Sequence, residues 1–180
     1  MNGMRILILP GWQDSGPDHW QSRWQQLHGW QKVEQADWEW PRRGDWMARL
    51  EEVVLESDTP ALLVAHSLGC HLVAAWAAHT KHADRVKGAL LVAVPDVERA
   101  DFPPQLHGWR PIVRQPLPFP AIVVLSTDDP YGALPTTRAV ADGWGAKVEL
   151  AGPRGHLNSE SGLGDWPEGV ALLHQLYPSR

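Results

Sequence analysis

Cysteine occurs once in the 180-residue chain, at Cys70, which excludes an intrachain disulfide framework and a multi-cysteine zinc site. Long apolar runs are missing near the start. Met1-Asn2-Gly3-Met4-Arg5 leads into the aliphatic run Ile6 to Leu9, too short for a signal-peptide core or a membrane span. Positive charge is not in excess: 16 Lys and Arg stand against 21 Asp and Glu, a formal charge of −5, which argues against nucleic-acid phosphates as partner. These absences predict a soluble cytoplasmic protein with no nucleic-acid or membrane partner. Phe and Tyr are scarce too, two of each against 11 Trp, and seven of the tryptophans lie between Trp12 and Trp46. Rings filling a small core and rings forming a binding surface both account for this surplus.

At about 150 residues per domain, the length predicts one domain over 1–180. Hydrophobic content of 43% and charged content of 21% place it among globular chains. Ile6 to Leu9, Ala61 to Ala65, Ala89 to Val94 and Ala121 to Leu125 are continuous apolar runs, the pattern of parallel strands buried on both faces. Lys32 to Ala36 and Lys147 to Ala151 are weaker strands. Between them the period becomes helical. Ser15-Gly16-Pro17-Asp18 reads as a capping box ahead of Trp20, Trp24 and Leu27, and Asp45 as the N-cap of a helix carrying Trp46, Leu50, Val53 and Val54. Further helices are expected at Leu68 to His79, Pro135 to Trp144 and Pro167 to Leu176. The expected fold is a three-layer α/β-hydrolase fold, a mostly parallel six-stranded sheet of order 2-1-3-4-5-6 with helices on both faces and no large cap. Seven of the sixteen prolines fall between Pro95 and Pro120, which reads as a functional loop or small lid around Trp109.

Ala65-His66-Ser67-Leu68-Gly69 joins the third strand to the alanine-rich helix. This is the G-x-S-x-G nucleophile elbow with alanine first. The sharp turn presents Ser67 Oγ above the sheet, and the Leu68 N–H at the helix start points where an oxyanion develops. The plainer alternative is that Ser67 only caps the helix. A serine nucleophile needs a base oriented by an acid, each at the end of a later strand. Asp128-Asp129-Pro130 follows the fifth strand and Gly155-His156 the sixth. Asp129 is the favoured acid because a residue before proline is held extended, leaving Asp128 to bind turn N–H groups. The first strand ends in Pro10-Gly11-Trp12-Gln13, where Trp12 N–H is the second oxyanion donor; Gly11, Gln13, His66 and Trp109 are expected to contact substrate. His66 reads as support for the loop rather than as the base, and His71 as a packed or capping residue. His79-x-x-His82 lacks the spacing of a helical zinc site, so no metal or other cofactor is expected.

Pro10-Gly11-Trp12, Ser15-Gly16-Pro17 with His19-Trp20-Gln21, Asp37-Trp38 with Pro41 and Trp46, His66-Ser67-Leu68-Gly69, Asp128-Asp129-Pro130 and Gly155-His156-Leu157-Asn158 together resemble the small, cap-less α/β-hydrolases of the retinoblastoma-binding protein nine family and its bacterial relatives. The resemblance covers nearly the whole chain. It implies a triad of Ser67, Asp129 and His156 and serine hydrolase activity. The pocket-binding pattern L-x-C-x-E is absent, since Leu68-Gly69-Cys70-His71-Leu72 ends in leucine, so no retinoblastoma-type partner is expected. The expected activity is hydrolysis of a small carboxylic ester through an acyl-enzyme. An amidase or peptidase with the same triad and a weakly catalytic protein-interaction module are the alternatives.

Overall fold

Aliphatic runs that alternate only in which face they present build the centre of the molecule, and a computed structural model describes residues 3–177 of the chain. The 1–180 span expected for the domain extends past these residues at both ends. Strands β1 (Arg5–Leu9), β2 (Gln31–Lys32), β3 (Ala61–His66), β4 (Val86–Val92), β5 (Ala121–Leu125) and β6 (Lys147–Leu150) form one parallel sheet in the order β2-β1-β3-β4-β5-β6. Helices α1 (Trp20–His28), α2 (Arg43–Leu55), α3 (Leu68–His79), α4 (Leu134–Gly143) and α5 (Pro167–His174) connect or follow them.

Because side chains alternate along a strand, each run supplies both faces at once. Leu7, Leu9, Leu63, Leu91 and Val123 pack with α2, α3 and α4 on one face, while Ile6, Ile8, Leu62, Val64, Leu90 and Ile122 pack with α1 and α5 on the other. The tryptophans are divided the same way, with Trp46, Trp76, Trp109 and Trp144 on the first face and Trp20, Trp24 and Trp166 on the second. Buried indoles need a partner for N–H, and here they find it mostly in loop carbonyls. Trp20 donates to Leu157, Trp24 to Asp165, Trp46 to Asp37, Trp109 to Pro41 and Trp144 to Val113. Most of the surplus therefore packs the core and fastens loops to it; Trp40 stays exposed.

Several element boundaries differ from the sequence reading. The second strand is Gln31–Lys32 rather than Lys32 to Ala36, since this edge strand pairs with β1 only at Leu7 and Ile8 before the chain turns toward Asp37. Ser15–Asp18 does not cap α1. His19 does, its Nδ1 accepting from Gln21 N–H, while Ser15 Oγ is bonded to the Gln21 side chain. Asp45 is not an N-cap but lies in the first turn of α2, which begins at Arg43; a carboxylate there still complements the helix dipole. β4 starts three residues early, at Val86, where its register against β3 shifts.

Candidate active site

The order 2-1-3 places β1 and β3 side by side, with their helices leaving on opposite faces, so a crevice opens above their C-terminal ends. Two glycines let the backbones meet there. A Cβ on Gly69 would stand 2.5 Å from the Leu9 carbonyl oxygen, and one on Gly11 would stand 3.0–3.1 Å from His66 O, Leu68 N and Ser67 Cβ. Ser67 sits at φ 55° and ψ −121°, a conformation unfavourable for an L residue, and its side chain makes no cap to α3. The sharp turn frees Oγ to face the crevice.

Gln13 and Asp14, both at φ 66°, form a second strained turn. It is held by Gln13 N–H to Trp38 O, Asp14 N–H to Gly11 O, Ser15 N–H to the Asp14 carboxylate, and an Asp14–Lys32 ion pair of 2.7 Å. These bonds use the N–H groups of Gln13 and Asp14. Among the described residues, the main-chain N–H groups of Trp12 and Leu68 donate to no protein acceptor, and both lie beside Ser67.

The loops after β5 and β6 bring a carboxylate and an imidazole to the serine. His156 Nε2 lies 2.8 Å from Ser67 Oγ, and its Nδ1 lies 2.9 and 3.0 Å from the two Asp129 oxygens. Asp129 also accepts from Tyr131 N–H. Asp128 points elsewhere. It accepts from Gly155 N–H and Ser126 Oγ, bonds that hold its carboxyl below the usual range, and Ser126 Oγ accepts from Arg154 N–H. Asp128 and Ser126 thus lace the two loops together.

A cavity of about 370 Å³ opens over Ser67. Trp12, Phe102, Leu106 and Tyr131 supply its apolar wall, Asp14 and Glu160 its acidic residues. Gly11, Gln13 and His66 line it too. Trp109 does not. The turn Pro104–Trp109 folds its ring inward against Trp46, with the indole donating to Pro41 O, while Leu106 of the same turn faces the cavity. Sequence reading missed Phe102, Leu106, Tyr131 and His19. No periodicity marks Phe102 and Leu106, and only their position in the proline-rich segment pointed toward them. Cys70, in the first turn of α3, is buried, and burial pushes its thiol well above the ordinary range, so it offers no nucleophile. Among the described residues no group of three or more His, Cys, Asp or Glu is placed to hold a metal ion, and no helix is long and apolar enough to cross a membrane.

Three histidines around the site are kept neutral. Burial drives His19 down to about 3, with His156 adding to the effect and Asp14 opposing it. Burial likewise holds His66 well below its ordinary value and His71, whose Nε2 bonds Pro95 O, down to about 4. A histidine whose folded value lies below its unfolded one charges more readily in the unfolded chain. Stability is therefore complete above about pH 6.5 and is lost as the pH falls toward the folded values. Between pH 8 and pH 5, His19 and His71 should each cost about 2 kcal/mol of unfolding free energy, with His66 acting in the same direction. Urea unfolding at the two pH values checks this, and equal stability at both would contradict it.

A six-stranded parallel sheet flanked by helices, with a serine on a strand-to-helix elbow and no large cap, defines a small α/β-hydrolase. The family model described as serine hydrolase matches residues 6–175, and the chain belongs to that family. Among solved structures, a YdeN-like hydrolase from Pectobacterium atrosepticum is 25% identical, with a TM-score of 0.85 over 97% of this chain and 93% of the other. The ydeN gene product of B. subtilis is 20% identical, with a TM-score of 0.74 over 97% and 98% of the two chains. Est1E from Butyrivibrio proteoclasticus shares the fold at 12% identity, with a TM-score of 0.70 over 97% and 88%. No curated protein sequence matches.

Proposed function

We propose that the protein is a carboxylesterase of small, neutral esters, working through Ser67, His156 and Asp129. The observation carrying this reading is the continuous chain Ser67 Oγ–His156 Nε2, His156 Nδ1–Asp129 beside two unused main-chain donors. His156 Nε2 takes the Ser67 proton as Oγ bonds to the ester carbonyl carbon. The carbonyl oxygen becomes an oxyanion held by the N–H groups of Trp12 and Leu68. Asp129 stabilises the imidazolium and keeps its orientation. Collapse breaks the bond to the leaving alkoxide, which takes the proton from His156. Water then gives a proton to His156 and attacks the acyl carbon, and Ser67 leaves with that proton.

The cavity supports the substrate class. Its wall of Trp12, Phe102, Leu106 and Tyr131 suits a short acyl group, and a substrate carboxylate would meet Asp14 and Glu160 with no Lys or Arg lining the cavity. With a series of p-nitrophenyl esters, kcat/KM should peak at two to four acyl carbons and fall roughly tenfold by eight, since a longer chain loses burial outside the wall. A peak at long chains, or turnover of aminoacyl amides exceeding that of esters, would replace this reading with a lipase or an amidase. A wild-type protein that turns over neither and takes up no fluorophosphonate would remove hydrolysis altogether.

A further inference from the structure

We propose that His19 is a positioning residue for the base: through His66 it fixes the main-chain carbonyl of His156 and with it the distance from the imidazole to Ser67. The proposal rests on the triad reading above. His19 and His66 lie at the cavity floor, 3% and 5% exposed, with ring centroids 4.5 Å apart and planes at 76°. His19 Nε2 is 3.3 Å from His66 Nδ1, and His66 Nε2 is 2.9 Å from the carbonyl oxygen of His156.

The partners at the two ends settle where every proton sits. Gln21 N–H donates to His19 Nδ1 over 3.1 Å, so His19 carries its hydrogen on Nε2. The His156 carbonyl can only accept, so His66 also carries its hydrogen on Nε2 and offers Nδ1 as an acceptor. The chain therefore runs one way: Gln21 N–H to His19, His19 Nε2–H to His66, His66 Nε2–H to His156 C=O. A second proton on either ring would set N–H against N–H. His156 and Asp14 are the titratable groups acting on His19, His19 and His156 those acting on His66, and burial keeps both rings of the relay uncharged.

This chain joins three parts of the site that are distant in sequence. His19 sits at the start of α1, His66 immediately precedes Ser67, and His156 lies on the loop after β6. Gln21, in the same turn of α1, donates to Leu9 O, at the end of β1, and to Val64 O, within β3. The first turn of α1 is thereby bonded to the oxyanion strand, the nucleophile strand and, by the two imidazoles, the base.

His19 has a second role, as the cap of α1, and two substitutions separate the roles. His19→Asn keeps a short acceptor for Gln21 N–H but is too short to reach His66. His19→Gln places a donor near the position of Nε2 but is a poorer cap. The relay predicts that His19→Asn lowers ester kcat about 10- to 100-fold with KM within about twofold, at a melting temperature close to wild type, and that His19→Gln recovers most of the loss. A capping role alone predicts the opposite order, Asn active and Gln impaired, and that result would overturn the proposal. A readout independent of turnover is the low-field proton resonance of His156 Nδ1–H bonded to Asp129. It should be sharp in wild type and His19→Gln and broadened in His19→Asn. An unchanged resonance in His19→Asn overturns the relay whether or not esters are hydrolysed, whereas failure of the esterase reading shows as an inert wild type.

Discussion

Ser67→Ala is expected to lower ester kcat/KM by at least about 1,000-fold and to abolish labelling by a fluorophosphonate probe. The geometry leaves no substitute nucleophile. Cys70 is buried with its thiol pushed up, and the imidazole of His156 would face a methyl group in place of Oγ at 2.8 Å. The two main-chain donors at Trp12 and Leu68 remain, so substrate can still bind with its carbonyl polarised, and a small residual rate through water activated by His156 is consistent with the mechanism. Because Ser67 makes no cap to α3, the substitution removes no helix-terminating bond, and the folded state should survive. Turnover retained within tenfold in a correctly folded variant would show that Ser67 is not the nucleophile.

The two adjacent aspartates provide the second large effect. Asp129→Asn should lower kcat by about 10,000-fold, while Asp128→Asn should lower it less than about tenfold. Both Asp129 oxygens lie within 3.0 Å of His156 Nδ1, so an amide there presents N–H to the ring and favours the tautomer with its proton on Nε2, aimed at Ser67. That tautomer cannot accept the serine proton. Asp128 touches neither reacting group; it bonds Gly155 N–H and Ser126 Oγ. Its amide variant is expected to lower stability slightly by weakening the link between the acid and base loops, not to lose chemistry. Rates for the two variants, measured beside their urea midpoints, separate the cases; equal losses of activity would mean that the loops, not the carboxylate, govern the base.

Much of the fold was legible because the four central strands are continuous apolar runs, and burial on both faces leaves little freedom in where such runs sit. Leu68–His79 and Ala121–Leu125 fall at the residues read from the sequence. Edges and caps were less legible. β2 is short because only two residues pair, and α1 is capped by a histidine, a residue whose capping depends on a ring orientation that neighbours set. The candidate triad could be placed by its order along the chain and its position after each strand. The cavity wall could not, since Phe102, Leu106 and Tyr131 belong to irregular segments without a period.

What the sequence determined by itself is the order of the elements, the elbow, and a histidine and two aspartates at the ends of later strands. These follow from local rules: apolar runs, small residues at a tight turn, and the chain order of a parallel sheet. Tertiary structure decided which aspartate reaches His156, that Trp109 belongs to the core, and that His19, His66 and the His156 carbonyl form one chain of bonds. Each of these depends on segments far apart in sequence meeting within hydrogen-bonding distance. A change of an ångström or a ring rotation decides such contacts, and no local pattern of residues encodes it.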